Sequence, residues 1–196
     1  NVELRRVDFV GPQVGRELTE KGGLAMIFTL IMIFAYVMFR FQWRFAAGAV
    51  AALVHDVIIT LGFFSLFQLP FDLSVLAAIL AVIGYSLNDT VVVFDRIREN
   101  FLKLRGVEPI EVMNISFNQM LGRTIITGLT TLLVLFALLF LGGEAIGPFS
   151  IALIVGIIVG TYSSIYTAST TALELGVSAQ DLLPPEKVPD AVDELP

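Results

Sequence analysis

Tyr85-Ser86-Leu87-Asn88-Asp89-Thr90-Val91-Val92-Val93-Phe94-Asp95-Arg96-Ile97-Arg98-Glu99-Asn100 is the stretch that decides the fold. It continues an apolar run that begins at Phe71 and is long enough to enter a bilayer. Before it ends on a charge cluster, the run carries Asn88 and Asp89. A carboxylate inside hydrocarbon costs roughly 2.5–3.5 kcal/mol at a span centre on the gentlest scales. Such a group faces a protein interior or a wet path, and a proton or ion route is the first hypothesis for it.

Composition agrees with a membrane protein. Of 196 residues, 56% are hydrophobic and 15% are charged, against about 25% charged in soluble domains. Mean hydropathy is +0.85. The net charge of −6 is concentrated in the ends and loops, including Asp181, Glu186, Asp190, Asp193 and Glu194. No basic stripe with interleaved aromatics points to nucleic acid. With no cysteine, disulfides and thiolate metal sites are excluded. His55 is the only histidine, which excludes a histidine-only metal site.

A span needs about 20 mostly apolar residues, and five runs qualify. They are 22–39, 45–67, 71–94, 124–141 and 146–173, which predicts an all-α, polytopic transmembrane helix bundle. Arg40-Phe41-Gln42-Trp43-Arg44, Gln68-Leu69-Pro70 and Gly142-Gly143-Glu144 supply short breaks. A wet segment is expected from Asp95 to about Met120. Within it Pro109 opens a turn, and Ile110, Met113 and Phe117 form a surface-lying lead-in to the fourth span. The domain reading is 1–21 as the end of an outside domain, 22–173 as the membrane domain and 174–196 as an acidic tail. Val7-Asp8-Phe9-Val10 alternates like a strand edge and Gly11-Pro12 ends it. The chain is therefore expected to be the C-terminal part of a longer protein.

Lys and Arg in short loops set orientation. The loop after the first run has Arg40 and Arg44, and the loop after the third has Arg96, Arg98, Lys103 and Arg105. The other two loops have none. The basic loops should be cytoplasmic, with the N-terminus outside and the tail inside.

Several polar groups lie within the spans. His55 and Asp56 sit mid-span in the second run. As neighbours about 100° apart, they cannot both face one partner squarely. They read either as a protonatable pair or as an interhelix hydrogen bond. Asp89 lies about 9 Å inside the boundary at Asp95. Tyr85, Val92, Val93 and Arg96 share its face, Ser86 lies on the flank and Asn88 points elsewhere. It reads as a functional carboxylate or as half of a structural ion pair. Arg123 opens the fourth span, and Thr127, Thr130 and Thr131 follow on its side. Arg123 either snorkels to headgroups or pairs with Asp89. Gly156, Gly160, Ser164 and Ala168, four apart, read as a helix-packing stripe, with a gating hinge as the alternative. No nucleophile–histidine–carboxylate set, phosphate loop or metal motif appears. No enzymatic activity and no cofactor are expected, and energy must come from an ion gradient or another chain.

The chain resembles the SecF subunits of the bacterial SecD–SecF protein-export complex. The resemblance rests on Val7-Asp8-Phe9-Val10-Gly11-Pro12-Gln13-Val14-Gly15, His55-Asp56, Asn88 to Asn100, and Arg123-Thr124-Ile125-Ile126-Thr127-Gly128-Leu129-Thr130-Thr131. It covers nearly the whole chain. It implies one half of a resistance–nodulation–division transporter core, containing the second to sixth spans of a six-span subunit whose periplasmic domain lies upstream. It implies proton-motive-force-driven assistance of protein translocation across the bacterial inner membrane, with the fragment's N-terminus periplasmic and its C-terminus cytoplasmic. The implied partners are SecD, SecYEG with SecA, YajC, membrane lipids and a translocating polypeptide, and no nucleic acid. By carry-over, Asp89 is the proton carrier and Arg123 its basic neighbour. His55, Asp56, Asn88, Thr127 and Thr131 are weaker candidates for the same pathway. A half-transporter for small molecules and a passive scaffold are the alternatives on the same fold.

Overall fold

The computed structural model describes residues 12–104 and 106–177. The chain order is α1 (Pro12–Arg40), α2 (Trp43–Leu66), α3 (Leu73–Lys103), α4 (Pro109–Leu141), α5 (Gly147–Ile165) and α6 (Thr167–Glu174). No strand occurs among the described residues. Five helical stretches are long and apolar enough to cross a membrane, with α5 and α6 together forming the fifth. Helices are the form in which a single segment satisfies its own backbone polar groups in lipid.

The helix ends follow from local chemistry. Asp72 caps α3, its carboxylate accepting from the Val75 amide at 3.0 Å and from the Ser74 hydroxyl at 2.6 Å. Burial works to raise the Asp72 pKa, but the hydrogen bonds from Ser74 and Val75 outweigh it and hold the carboxyl below its ordinary value. A depressed carboxyl contributes stability at neutral pH and loses it as pH falls through the folded-state value. Asp72→Ala should lower stability at neutral pH by about 1 kcal/mol, whereas Asp72→Asn keeps the cap. Thermal unfolding in detergent checks both, and an unchanged Asp72→Ala protein would remove the cap from the account. At the other end of α2, Gln68 takes a positive φ of 51°. The Leu69 amide returns to the Phe64 carbonyl and the Gln68 amide to the Ser65 carbonyl. The same pair of bonds closes α6 around Gly176, with Val177 bonded to Ala172 and buried. Both are Schellman ends.

Packing fixes the relative directions. Phe45 stacks obliquely on Phe94 at 4.8 Å and Asp56 meets Ser86, so α2 and α3 are antiparallel. Along α3 and α5, Val82 faces Gly156, Ser86 faces Gly160 and Asp89 faces Ser164, so these two run parallel. Close approach of α5 to α3 requires glycine, because a Cβ on Gly156 would run into the Val82 side chain. Gly48 plays the same part between α2 and α6, where a Cβ would meet the Ala168 carbonyl oxygen. Exposed Leu24, Ile27, Phe28, Ile31, Ile126, Leu129, Leu133 and Val134 give α1 and α4 broad apolar outer faces.

The structure adds helical detail to the sequence reading at three places. Residues 12–21 are helical and continue without a break into the first spanning stretch; residues 1–11, with the expected strand edge, lie outside the described residues. The stretch from Asp95 to Met120, expected to lie between two spans, is largely helical, as the continuation of α3 and the beginning of α4. Ile97, Phe101, Val112, Met113 and Met120 recur at helical spacing and are buried, so the charges occupy only the opposite face. The lead-in at Pro109 is continuous with α4. Here Asn100 Nδ2 donates to Ser116 Oγ at 2.8 Å and to Gln119 Oε1 at 2.9 Å. This polar clasp ties α3 to α4. The last apolar run is divided into α5 and α6 at Tyr166, and the two together still make one spanning stretch, as expected. Of the acidic tail, residues 178–196 lie outside the described residues.

Candidate functional site

Asp89 sits on α3 where α4 and α5 converge, and it is partly buried. Ser164 Oγ of α5 donates to Asp89 Oδ2 at 2.7 Å. Thr124 Oγ1 of α4 donates to Asp89 Oδ1 at 3.3 Å. An ionised carboxylate is acceptor-only, and two hydroxyl donors are a fitting pair of partners for it. The Arg123 guanidinium is close enough to attract the Asp89 charge, but among the described residues no ion pair within 4.0 Å joins them. Arg123 is exposed on the isolated chain. The structural ion pair is therefore not the arrangement present.

A second carboxylate lies one step along the same seam. Asp56 of α2 is fully buried. Ser86 Oγ donates to Asp56 Oδ2 at 2.6 Å, and His55 Nδ1 lies 3.1 Å from Asp56 Oδ1. His55 and Asp56 thus contact each other, while Asp56 alone reaches α3; the His55 side chain remains 30% exposed. Ser86 precedes Asp89 by three residues, so the two occupy neighbouring positions on one face of α3. Gly160 closes this seam from α5, since a Cβ there would lie 3.1 Å from the Ser86 Cβ and 3.4 Å from Asp56 Oδ2.

The structure separates the remaining candidates from this cluster. Asn88 is exposed, away from Asp89. Thr127, Thr130 and Thr131 lie on the exposed side of α4. The Thr130 and Thr131 hydroxyls donate back to carbonyls of their own helix, Thr131 to Thr127 at 2.9 Å. Arg123 and these threonines form a polar stripe on an otherwise lipid-like face. The sequence reading missed Thr124, Ser164 and Ser86 as partners of the two carboxylates. Ser164 was visible only as one rung of the small-residue stripe from Gly156 to Ala168. A hydroxyl replacing glycine or alanine at that rung was the available signal. Among the described residues no cluster of His, Cys, Asp and Glu could hold a metal ion.

The geometry is that of a polytopic membrane protein with an intramembrane carboxylate seam. The chain belongs to the SecD/SecF C-terminal family of protein export membrane proteins, whose pattern matches residues 1–178. It is similar to the protein translocase subunit SecF of Vibrio alginolyticus, 58% identical over 198 residues that take in 100% of this chain and 63% of that protein. It is 56% identical over 193 residues to the SecF subunit of Pseudomonas aeruginosa, covering 98% of this chain and 63% of that protein. The chain thus spans less than two thirds of the length of these relatives. Its fold matches the crystal structure of SecDF, a translocon-associated membrane protein from Thermus, with a TM-score of 0.79 and 48% identity. That match covers 85% of this chain and 23% of the SecDF chain. A second SecDF structure, in a super-membrane-facing form, matches at a TM-score of 0.76 and 45% identity over 85% of this chain and 22% of that one.

Proposed function

We propose that this chain is the membrane part of a subunit that uses the proton motive force to assist protein translocation across the bacterial inner membrane, with Asp89 as proton carrier. The observation that carries this reading is the Asp89 carboxylate inside α3, held by hydroxyls from two neighbouring helices and attracted by Arg123 without being locked to it. Such a group can gain and lose a proton without dismantling a salt bridge. Moving one charge across the membrane is worth about 2.3 kcal/mol per 100 mV, which is the available energy source. Asp56, with His55 and Ser86, forms the end of the same seam farther from the cytoplasmic boundary at Asp95. The polar stripe of Arg123, Thr127 and Thr131 must be covered or wetted in lipid, and SecD is the partner that covers it. The SecYEG channel, SecA, YajC and the translocating polypeptide complete the assembly.

The basic loops face the cytoplasm in this reading. Gly106 and Gly143 both take left-handed φ values, so cysteine labels belong at exposed Glu108 and Glu144 instead. A membrane-impermeant thiol reagent applied to intact cells should label Glu144→Cys and spare Glu108→Cys; the reverse pattern inverts the topology. The function itself is tested by following release of a secretory protein from membranes containing the full-length subunit and SecD. The complex should speed release only while a proton gradient is present. Equal acceleration with the gradient collapsed would leave a passive scaffold.

A further inference from the structure

We propose that Ser164 keeps Asp89 attached to α5 in both of its charge states by reversing the direction of one hydrogen bond. The inference rests on the reading of Asp89 as proton carrier. Ser164 Oγ lies 2.7 Å from Asp89 Oδ2 and 3.1 Å from the Thr161 carbonyl oxygen. A serine hydroxyl has one hydrogen and two lone pairs, so it cannot donate to both. When Asp89 is ionised it can only accept, and the hydroxyl donates to it in a charge-assisted bond. When Asp89 takes up a proton, its carboxyl becomes a donor. Ser164 Oγ then accepts that hydrogen, and its own hydrogen rotates onto the Thr161 carbonyl already within reach. One proton is added at Asp89, and no other covalent bond changes.

Thr124 is built differently. Asp89 is its hydroxyl's sole side-chain or carbonyl partner among the described residues, and that bond is longer. The α3–α5 contact therefore survives loading and unloading with the direction of its bond reversed, while Oδ1, which takes no proton, goes on accepting from Thr124 in either state. The close α3–α5 ladder, with glycine at two rungs, fits a contact that does not open. The ionisable groups around Asp89 leave this exchange to Ser164. Arg123 attracts it from α4, Asp56 and His55 stand behind Ser86 on α2, and Tyr85, Asp95 and Arg96 flank it along α3. From α5, α6 and the junction between them come only Tyr162 and Tyr166, exposed and stacked on each other, and Glu174 at the far end.

The test uses the full-length subunit with its partner in lipid, carrying isotope-labelled aspartate. Infrared difference spectra between acidic and alkaline states report the protonated carboxyl stretch, and Asp89→Asn assigns the Asp89 band. In Ser164→Ala the band should move to higher wavenumber, because the protonated carboxyl has lost its acceptor. Gradient-dependent export should fall about tenfold, in line with one charge-assisted hydrogen bond, at normal subunit abundance. Ser164→Thr should restore band and export together. An Asp89 band that is present in the parent protein and unmoved in Ser164→Ala overturns the role of Ser164 while leaving the carrier reading intact. A spectrum with no titrating Asp89 band in the parent protein overturns both.

Discussion

Asp89→Asn should abolish gradient-dependent export while the subunit accumulates to its normal level. The substitution keeps the shape of the side chain and removes titration: the amide oxygen can accept from Thr124 while the amide NH2 donates to the Ser164 oxygen, as a protonated carboxyl would. Loss of a partner from a buried ion pair would instead destabilise the protein by about 3–5 kcal/mol. The geometry argues against that outcome, because no ion pair within 4.0 Å joins Asp89 to Arg123. Asparagine leaves Arg123 where it stands, exposed on the isolated chain. Abundance and export must be measured on the same membranes. A depleted Asp89→Asn subunit would make Asp89 structural, and a fully active one would remove it from the proton route.

The second large effect lies on the opposite helix. Gly156→Ala should lower the thermal stability of the subunit, by about 1–3 kcal/mol for an overpacked core contact. A Cβ at position 156 would run into both Cγ atoms of Val82 and would lie 3.0 Å from its Cβ. Val82 is buried and β-branched, with little rotamer freedom in a helix. It cannot turn aside, so α5 must move away from α3. The next rungs are Ser86 against Gly160 and Asp89 against Ser164. A displacement at Gly156 therefore reaches Asp89, and export should fall together with stability if Asp89 is the proton carrier proposed above. Val82→Ala removes the two Cγ atoms and should rescue the Gly156→Ala protein in part. Gly62→Ala, where nothing lies within 4 Å, is the control. A Gly156→Ala subunit as stable as its parent would show that the α3–α5 ladder does not set the spacing of these helices.

Much of this architecture was legible in the sequence because the bilayer imposes length and apolarity on a span. The five runs mark the five spanning stretches, and Gln68-Leu69-Pro70 and Gly142-Gly143 mark real helix ends. The stretch from Asp95 to Met120 was harder to read. Its apolar face is only a stripe, and the charges around Glu99 and Lys103, which pair with each other, mask that stripe in any average over the sequence. Asp89 stood out because a carboxylate inside a span is expensive. Its partners did not, because a serine or threonine in a membrane helix can bond to its own backbone, as Thr130 and Thr131 do. Which hydroxyl points at Asp89 depends on the register of α5 against α3. That register is set by Gly156 and Gly160, far along the chain from residue 89.

The central claim is that Asp89 carries protons, and proton movement is the quantity to measure. The full-length subunit with SecD is reconstituted into liposomes holding a pH-sensitive dye, and a proton gradient is imposed. The account predicts proton entry above the protein-free rate for the parent complex, and the protein-free rate for the complex bearing Asp89→Asn at equal incorporation. Equal proton entry in the two complexes would contradict it.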